Sequence, residues 1–278
     1  MLNTNEAYLE AVNLFKNAQY KKAFLKLISL SQKFSNDLDY LKLLSEVQLG
    51  MKDFESRLKT LQVISRKSSS VDDKLKYMVA LLLSNRRNES LDEAIKLMSL
   101  NLTRDQRIFI SRNLIKIYSC ENDFEGLEEV CRELQSAGVT DAEIEYSLAL
   151  VEASKGNLDA AIDYLRKAVM LNVEFDTGWA ALGLYHYQKG DVELAKANLE
   201  KALDINPVNA TALKHISQWV DSNQPEELKD VLAKVNYYLQ QFNFDEEISE
   251  CHAKLLIQNG HVRTAQFEAE KLSYYFGK

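Results

Sequence analysis

The chain is predicted to be all-α, a solenoid of about eight helix–turn–helix units. Three observations predict it: chain-breaking residues are scarce, a turn signature recurs at nearly constant spacing, and the stretches between turns carry apolar residues at helical intervals. Glycine occurs 9 times and proline twice in 278 residues, well below the average usage of roughly 7% and 5%. A sandwich or barrel needs a turn every ~8–12 residues, many with special backbone angles, so an all-β fold is excluded. Hydrophobic residues make up 46% and charged residues 27% of the chain, the balance of a folded globular protein. No apolar run approaches the ~18 residues of a membrane span, so no direct membrane insertion is expected.

The elements follow from the turns, taken in chain order. Ala18-Gln19-Tyr20, Lys52-Asp53-Phe54, Glu89-Ser90-Leu91, Asn122-Asp123-Phe124, Gly156-Asn157-Leu158, Gly190-Asp191-Val192, Gln224-Pro225 leading to Leu228, and Gly260-His261-Val262 each join two helical stretches. Their closing apolar residues lie at 20, 54, 91, 124, 158, 192, 228 and 262, steps of 34, 37, 33, 34, 34, 36 and 34. A period of this length signals stacked supersecondary units. Three residues past each closing position stand Ala23, Arg57, Ala94, Leu127, Ala161, Ala195, Val231 and Ala265. Two antiparallel helices approach closely only where such a column is small or apolar, and Arg57 is the exception to it. The longer steps are expected to arise from enlarged loops at Ser65–Ser70 and Asp221–Pro225. Asp141, Asp176 and Asn209 are expected to cap the helices that follow them, and Pro207 to stop the helix before it.

At residues 176–209 the pattern becomes specific. Trp179-x2-Leu182-Gly183 followed by Ala195-x3-Leu199-x2-Ala202-x4-Pro207 resembles the tetratricopeptide repeat, with His186 where that family prefers Tyr and Leu199 where it prefers Phe. Leu148-Ala149 with Ala161, Leu165 and Ala168 is a second match, and Leu114-Ile115, Tyr118 and Leu127 a third. The resemblance implies a right-handed α-solenoid, a single domain over residues 3–278, with regular repeats at 108–209 and degenerate ones at 3–107 and 210–278. It also implies that the first helices of successive units line a concave face that receives a partner's peptide or helix. On that face the resemblance places Phe109, Arg112 and Lys116, then Tyr146 and Leu150, then Leu184 and Tyr187. Arg112 and Lys116 are four apart on one helix face and suit a partner's carboxylate. The family's clamp for chaperone tails needs a Lys/Asn pattern that these positions lack, so such tails are not expected.

Charge and motifs exclude other classes. The net charge is −7, with 21 Lys and Arg against 20 Asp and Glu through residue 141 and 13 against 21 beyond it. Nucleic-acid binding needs a basic face, so nucleic acid is not an expected partner. No Gly-rich phosphate loop, Gly-x-Ser-x-Gly, His-Glu-x-x-His or Cys-x-x-Cys occurs. The four histidines read as packing or turn residues, and Cys251-His252, sequential on a helix, diverge. The expectation is a non-enzymatic scaffold without cofactor or metal. An enzyme with an acidic C-terminal metal site is the contrasting reading. Self-association is another, through the terminal aromatics Tyr274, Tyr275 and Phe276 or through Tyr8, Val12 and Phe15. Met1–Glu6 lack the features of a secretory leader, and three scattered cysteines suit a reducing compartment, so the expected location is cytoplasmic.

Overall fold

The computed structural model describes residues 2–220, 224–242 and 245–276, excepting the side chains of 2–5 and 275–276. Among the described residues there are sixteen α-helices and no strand. By its contacts the chain divides into two compact units, Met1–Asp123 and Phe124–Lys278.

The first unit holds α1 (Leu2–Lys16), α2 (Tyr20–Phe34), α3 (Leu38–Gly50), α4 (Phe54–Lys67), α5 (Val71–Leu83), α6 (Arg87–Met98) and α7 (Arg104–Glu121). Its core gathers Ala11, Ala23, Leu27, Tyr40, Leu61 and Leu81. The Tyr40 hydroxyl donates to the Leu27 carbonyl at 3.0 Å, so this buried phenol keeps a partner. The second unit holds α8 (Phe124–Ser136), α9 (Ala142–Ser154), α10 (Leu158–Leu171), α11 (Asp176–Gln188), α12 (Val192–Ile205), α13 (Ala210–Trp219), α14 (Pro225–Gln241), α15 (Glu246–Gln258) and α16 (Val262–Phe276). One of its apolar clusters surrounds Leu165 and Leu182, and another runs from Leu199 through Leu213 and Val235 to Leu255.

Seven tight turns inside helix pairs share one closure, which Gly138 between α8 and α9 repeats. Ala18, Lys52, Asn85, Asn122, Gly156, Gly190 and Gly260 all have positive φ, between 55° and 89°. The following amide reaches back five residues, as in Asp53 N to Gln48 O, Arg86 N to Leu81 O and Asn157 N to Glu152 O, each 2.9 Å. This is the Schellman closure, which satisfies carbonyls that the helix end would leave unpaired.

That closure corrects the register read from the sequence. The third turn is Ser84-Asn85-Arg86, and Glu89–Leu91 lie inside α6. Second helices therefore begin at 20, 54, 87, 124, 158, 192, 225 and 262, in steps of 34, 33, 37, 34, 34, 33 and 37. The residue three beyond each start is Ala23, Arg57, Ser90, Leu127, Ala161, Ala195, Leu228 or Ala265. Ser90 is fully buried and its hydroxyl donates to the Met78 carbonyl at 2.9 Å. Ala94 and Val231, assigned to this column from sequence, lie a helical turn or so beyond it.

The longer steps also have a different origin. The link from α4 to α5 is only Ser68–Ser70, no enlarged loop; residues 221–223 of the other expected loop lie outside the described residues. The additional residues lengthen helices instead: α7 has 18 residues and α14 has 17, against 13 in α3, α5, α9 and α11. An insertion of about one helical turn preserves which face is apolar.

Caps follow the expectation at two sites and depart from it at a third. Asp141 accepts from Ile144 N at 3.0 Å and Asn209 from Ala212 N at 2.9 Å, while α12 ends at Ile205, ahead of Pro207. Asp176, however, is the first helical residue of α11, and its carboxylate accepts from Asn206 and Asn209 side chains at 2.7 and 2.8 Å. It holds the next link in place rather than capping its own helix.

Candidate protein-binding faces

Within each unit, first helices lie side by side, α5 against α7, and α11 and α15 each against α13. The sequence-predicted residues lie on α7 in the first unit and on α9 and α11 in the second.

In the first unit, α7 carries Phe109, Arg112 and Lys116. A capping box starts the helix: Gln106 N donates to the Thr103 hydroxyl, and Thr103 N donates to the Gln106 side chain, both at 3.2 Å. Phe109 is 43% exposed, Arg112 half-buried and Lys116 exposed. Glu121, a potential counter-charge for that basic pair, lies 3.4 Å from Arg87.

Between α5 and α7 lies a cavity of about 420 Å³. Leu75, Val79 and Phe109 give it an apolar lining, and Arg57 reaches it from α4. Leu75, Val79 and Arg57 were missed as site residues from sequence. The signal was nonetheless visible, since Arg57 is the charged member of an otherwise apolar or small column. A second cavity, about 430 Å³, is lined by α4 and α6 residues of both charges, among them Arg66, Glu89, Glu93 and Lys96.

In the second unit, Tyr146 sits on α9 and meets Phe175 edge-on, ring centroids 5.4 Å apart. Burial raises its phenol pKa above the usual value. Tyr146 and Leu184 both pack on the Leu165–Leu182 cluster, and Leu150 is half-buried. Tyr146 and Leu184 are thereby largely committed to packing between pairs. Tyr187 is not: it is 42% exposed and stacks on Trp219, centroids 4.0 Å apart and planes 18° from parallel. His215 adjoins the same indole at 5.6 Å. Burial, with Lys214 beside it, lowers its pKa below the usual imidazole value. Trp219 was not among the residues predicted from sequence; it lies one helix pair away from Tyr187, and only stacking of α11 beside α13 brings the rings together.

Two further titratable side chains, His186 and Cys131, occupy packing positions. His186 is buried and its Nδ1 lies 3.3 Å from Asp191. Burial pushes the Cys131 thiol up to about 12. Among the described residues no group of three His, Cys, Asp or Glu side chains is arranged to hold a metal ion, and no helix is long and apolar enough to cross a membrane. At the chain ends, Tyr8 stacks on Phe34 and Phe15 packs on Tyr20, so these rings serve the first pair. Tyr274 is 84% exposed, while the side chains of Tyr275 and Phe276 lie outside the described residues.

Residues 142–172 and 177–209, the α9–α10 and α11–α12 pairs with their following links, match the tetratricopeptide repeat family. Over these residues the chain carries two tetratricopeptide repeats. No curated protein matches its sequence. Among solved structures it is similar to the C-terminal part of a TPR repeat-containing protein from Cytophaga hutchinsonii, at 15% identity over 94% of this chain and 98% of that one, with a TM-score of 0.56. It is also similar to a chain of the APC/C hetero-tetramer Cut9–Hcn1, at 13% identity over 90% of this chain and 48% of that one, TM-score 0.60. MamA of Desulfovibrio magneticus RS-1, as a double mutant, aligns at 19% identity over 66% and 97% of the two chains, TM-score 0.53. At these identities the likeness is one of fold. Tetratricopeptide repeats are, as a class, scaffolds for protein–protein contact, and this chain has their architecture.

Proposed function

We propose that the protein is a non-enzymatic adaptor that binds a protein or peptide partner on its first-helix faces and takes part in assembling or regulating a larger complex. The observation that carries this reading is the aromatic surface left over after the helix pairs have packed. Phe109 and Tyr187 remain 43% and 42% exposed on those faces, and Tyr187 is held flat against Trp219. Rigid, partly exposed aromatic rings are the residues that dominate the energetics of protein interfaces. Arg112 and Lys116 on α7, Tyr146 and Leu150 on α9 and Leu184 on α11 complete the proposed binding residues. The net charge of −7 disfavours nucleic acid as the partner. The free cysteines accord with a cytoplasmic setting.

Capture experiments from the native cell test the reading. Lys116→Glu and Tyr187→Ala, singly and combined, are expected to reduce recovery of the bound protein at least tenfold while the far-ultraviolet circular dichroism is unchanged. Undiminished recovery by the double variant rejects this assignment of the faces. Self-association through the exposed Tyr274 is the second reading; Tyr274→Ala is then expected to lower the mass seen by light scattering, and a mass that stays monomeric at every concentration rejects it.

A further inference from the structure

We infer that the cavity between α5 and α7 receives one large apolar side chain of a partner peptide, and that a neighbouring side-chain carboxylate of the peptide is held by Arg57. The inference rests on the adaptor reading above and specifies the class of segment bound.

Arg57 occupies the column three residues into each second helix, where Ala23, Ser90, Ala161, Ala195 and Ala265 allow the paired helices to approach. A guanidinium contributes nothing to that approach. Its Nε is buried and has no hydrogen-bond partner, and no ion pair engages the side chain among the described residues. A buried donor in this state carries an unmet desolvation cost, which an acceptor entering the cavity removes. The other polar groups on the rim are differently placed. Lys76 lies 3.4 Å from Glu46, and Asp72 accepts from the Gln106 amide at 2.8 Å. Arg57 is thus the cation with an open requirement, and a carboxylate meets it with a charge-assisted, bidentate geometry.

The size and lining specify the rest. A volume of about 420 Å³ lies at the lower end of ligand-sized clefts, roughly 300–1,000 Å³, and suits one Leu, Phe or Trp side chain with its local backbone. Leu75, Val79 and the exposed Phe109 provide the apolar contact. Asp72 and Asp105 stand on the same rim, so a polyanionic tract is repelled. The segment that fits has a single acidic residue beside the apolar one, with neutral or basic residues around it.

The test uses the full chain and an array of end-capped twelve-residue peptides in a Gly/Ser frame. Each peptide bears one apolar residue (Ala, Leu, Phe or Trp) and one of Glu, Gln or Lys, spaced one to four apart. Binders are then titrated by fluorescence anisotropy. Retention of Leu–Glu, Phe–Glu or Trp–Glu peptides is expected, with at least tenfold weaker binding of the Gln and Lys counterparts. Arg57→Ala is expected to abolish the Glu-over-Gln preference while keeping the helical signal and melting temperature, because alanine is the residue found at this position in four other pairs. Phe109→Ala, at an exposed position whose truncation leaves the core intact, is expected to weaken Glu and Gln peptides alike. Equal binding of Glu and Gln peptides, or an unaltered preference in Arg57→Ala, overturns the inference. Binding that is lost on Tyr187→Ala and untouched by Arg57→Ala also overturns it, while leaving the adaptor reading standing. If no peptide is retained and the Lys116→Glu/Tyr187→Ala variant captures its cellular partner normally, both fail.

Discussion

Glycine and its substitutes show how far a single backbone angle governs these turns. Gly156, Gly190 and Gly260 take the left-handed position without cost, whereas Ala18 and Lys52 adopt φ of 55° and 60° there. A side chain in that region costs roughly 1–2 kcal/mol, so Ala18→Gly is expected to stabilise the protein by about 0.5–1 kcal/mol, read as a higher urea midpoint. Gly183 presents the opposite constraint. A Cβ there would stand 2.7 Å from the Leu199 Cγ and 2.9 Å from the Ala195 carbonyl, and a helical backbone cannot yield that space. Gly183→Ala is expected to cost about 1–3 kcal/mol, seen as a lower melting temperature. A third residue couples stability to pH. Asp73 is buried, which raises its pKa, but the Lys42 ammonium at 2.8 Å and the Ser68 hydroxyl at 2.5 Å outweigh burial and hold the carboxyl below its usual value. Its native pKa is depressed, so the stabilisation is present above the unfolded value of about 3.9 and is lost as pH falls through the native one. Asp73→Asn is accordingly expected to lower the melting temperature at pH 7, with the difference from the parent shrinking as the pH falls below the unfolded value.

At the scale of elements, the helix α7 combines several roles. Its capping box, in which the Gln106 backbone amide donates to Thr103, starts it, and the Gln106 side-chain Nε2 donates to Asp72 of α5 across the cavity mouth. Thr103→Ala removes one amide acceptor and is expected to cost about 1 kcal/mol. Slower proton exchange at the Gln106 amide in the variant than in the parent would contradict that role. Its 18 residues accommodate the long step between the third and fourth tight turns. From composition alone that extra length falls one helix pair earlier, because Glu89-Ser90-Leu91 mimics the turn composition seen elsewhere. Composition does not identify which residue of Ser84–Leu91 adopts positive φ. That choice goes to Asn85, whose turn lets Ser90 enter the close contact with Met78.

For the molecule as a whole, each compact unit has a core of its own, around Leu27, Tyr40 and Leu61 in one and Leu165, Leu199 and Leu213 in the other. Repeat arrays draw stability from intrinsic terms and nearest-neighbour contacts. A fragment spanning residues 124–278, which holds both sequence-matched repeats, is therefore expected to fold alone and to melt cooperatively by circular dichroism. A fragment that stays disordered would show that its core depends on residues 1–123.

The sequence by itself determined that the chain is a series of helix pairs, where most of the tight turns fall, and which columns are small, because period and residue size are local properties. The signature positions Leu182, Gly183, Ala195 and Leu199 were legible for that reason, and so was Arg57 as the member of its column that does not belong. Only the tertiary structure decided which outward residues remain available. Tyr146 and Leu184 turned to packing, Tyr187 gained a ring from Trp219 of the next helix pair, and Arg57 opened on a cavity made by α5 and α7. The physical reason is that exposure and pocket shape depend on how neighbouring pairs stack, a relation between residues far apart in the chain that no one-dimensional pattern contains.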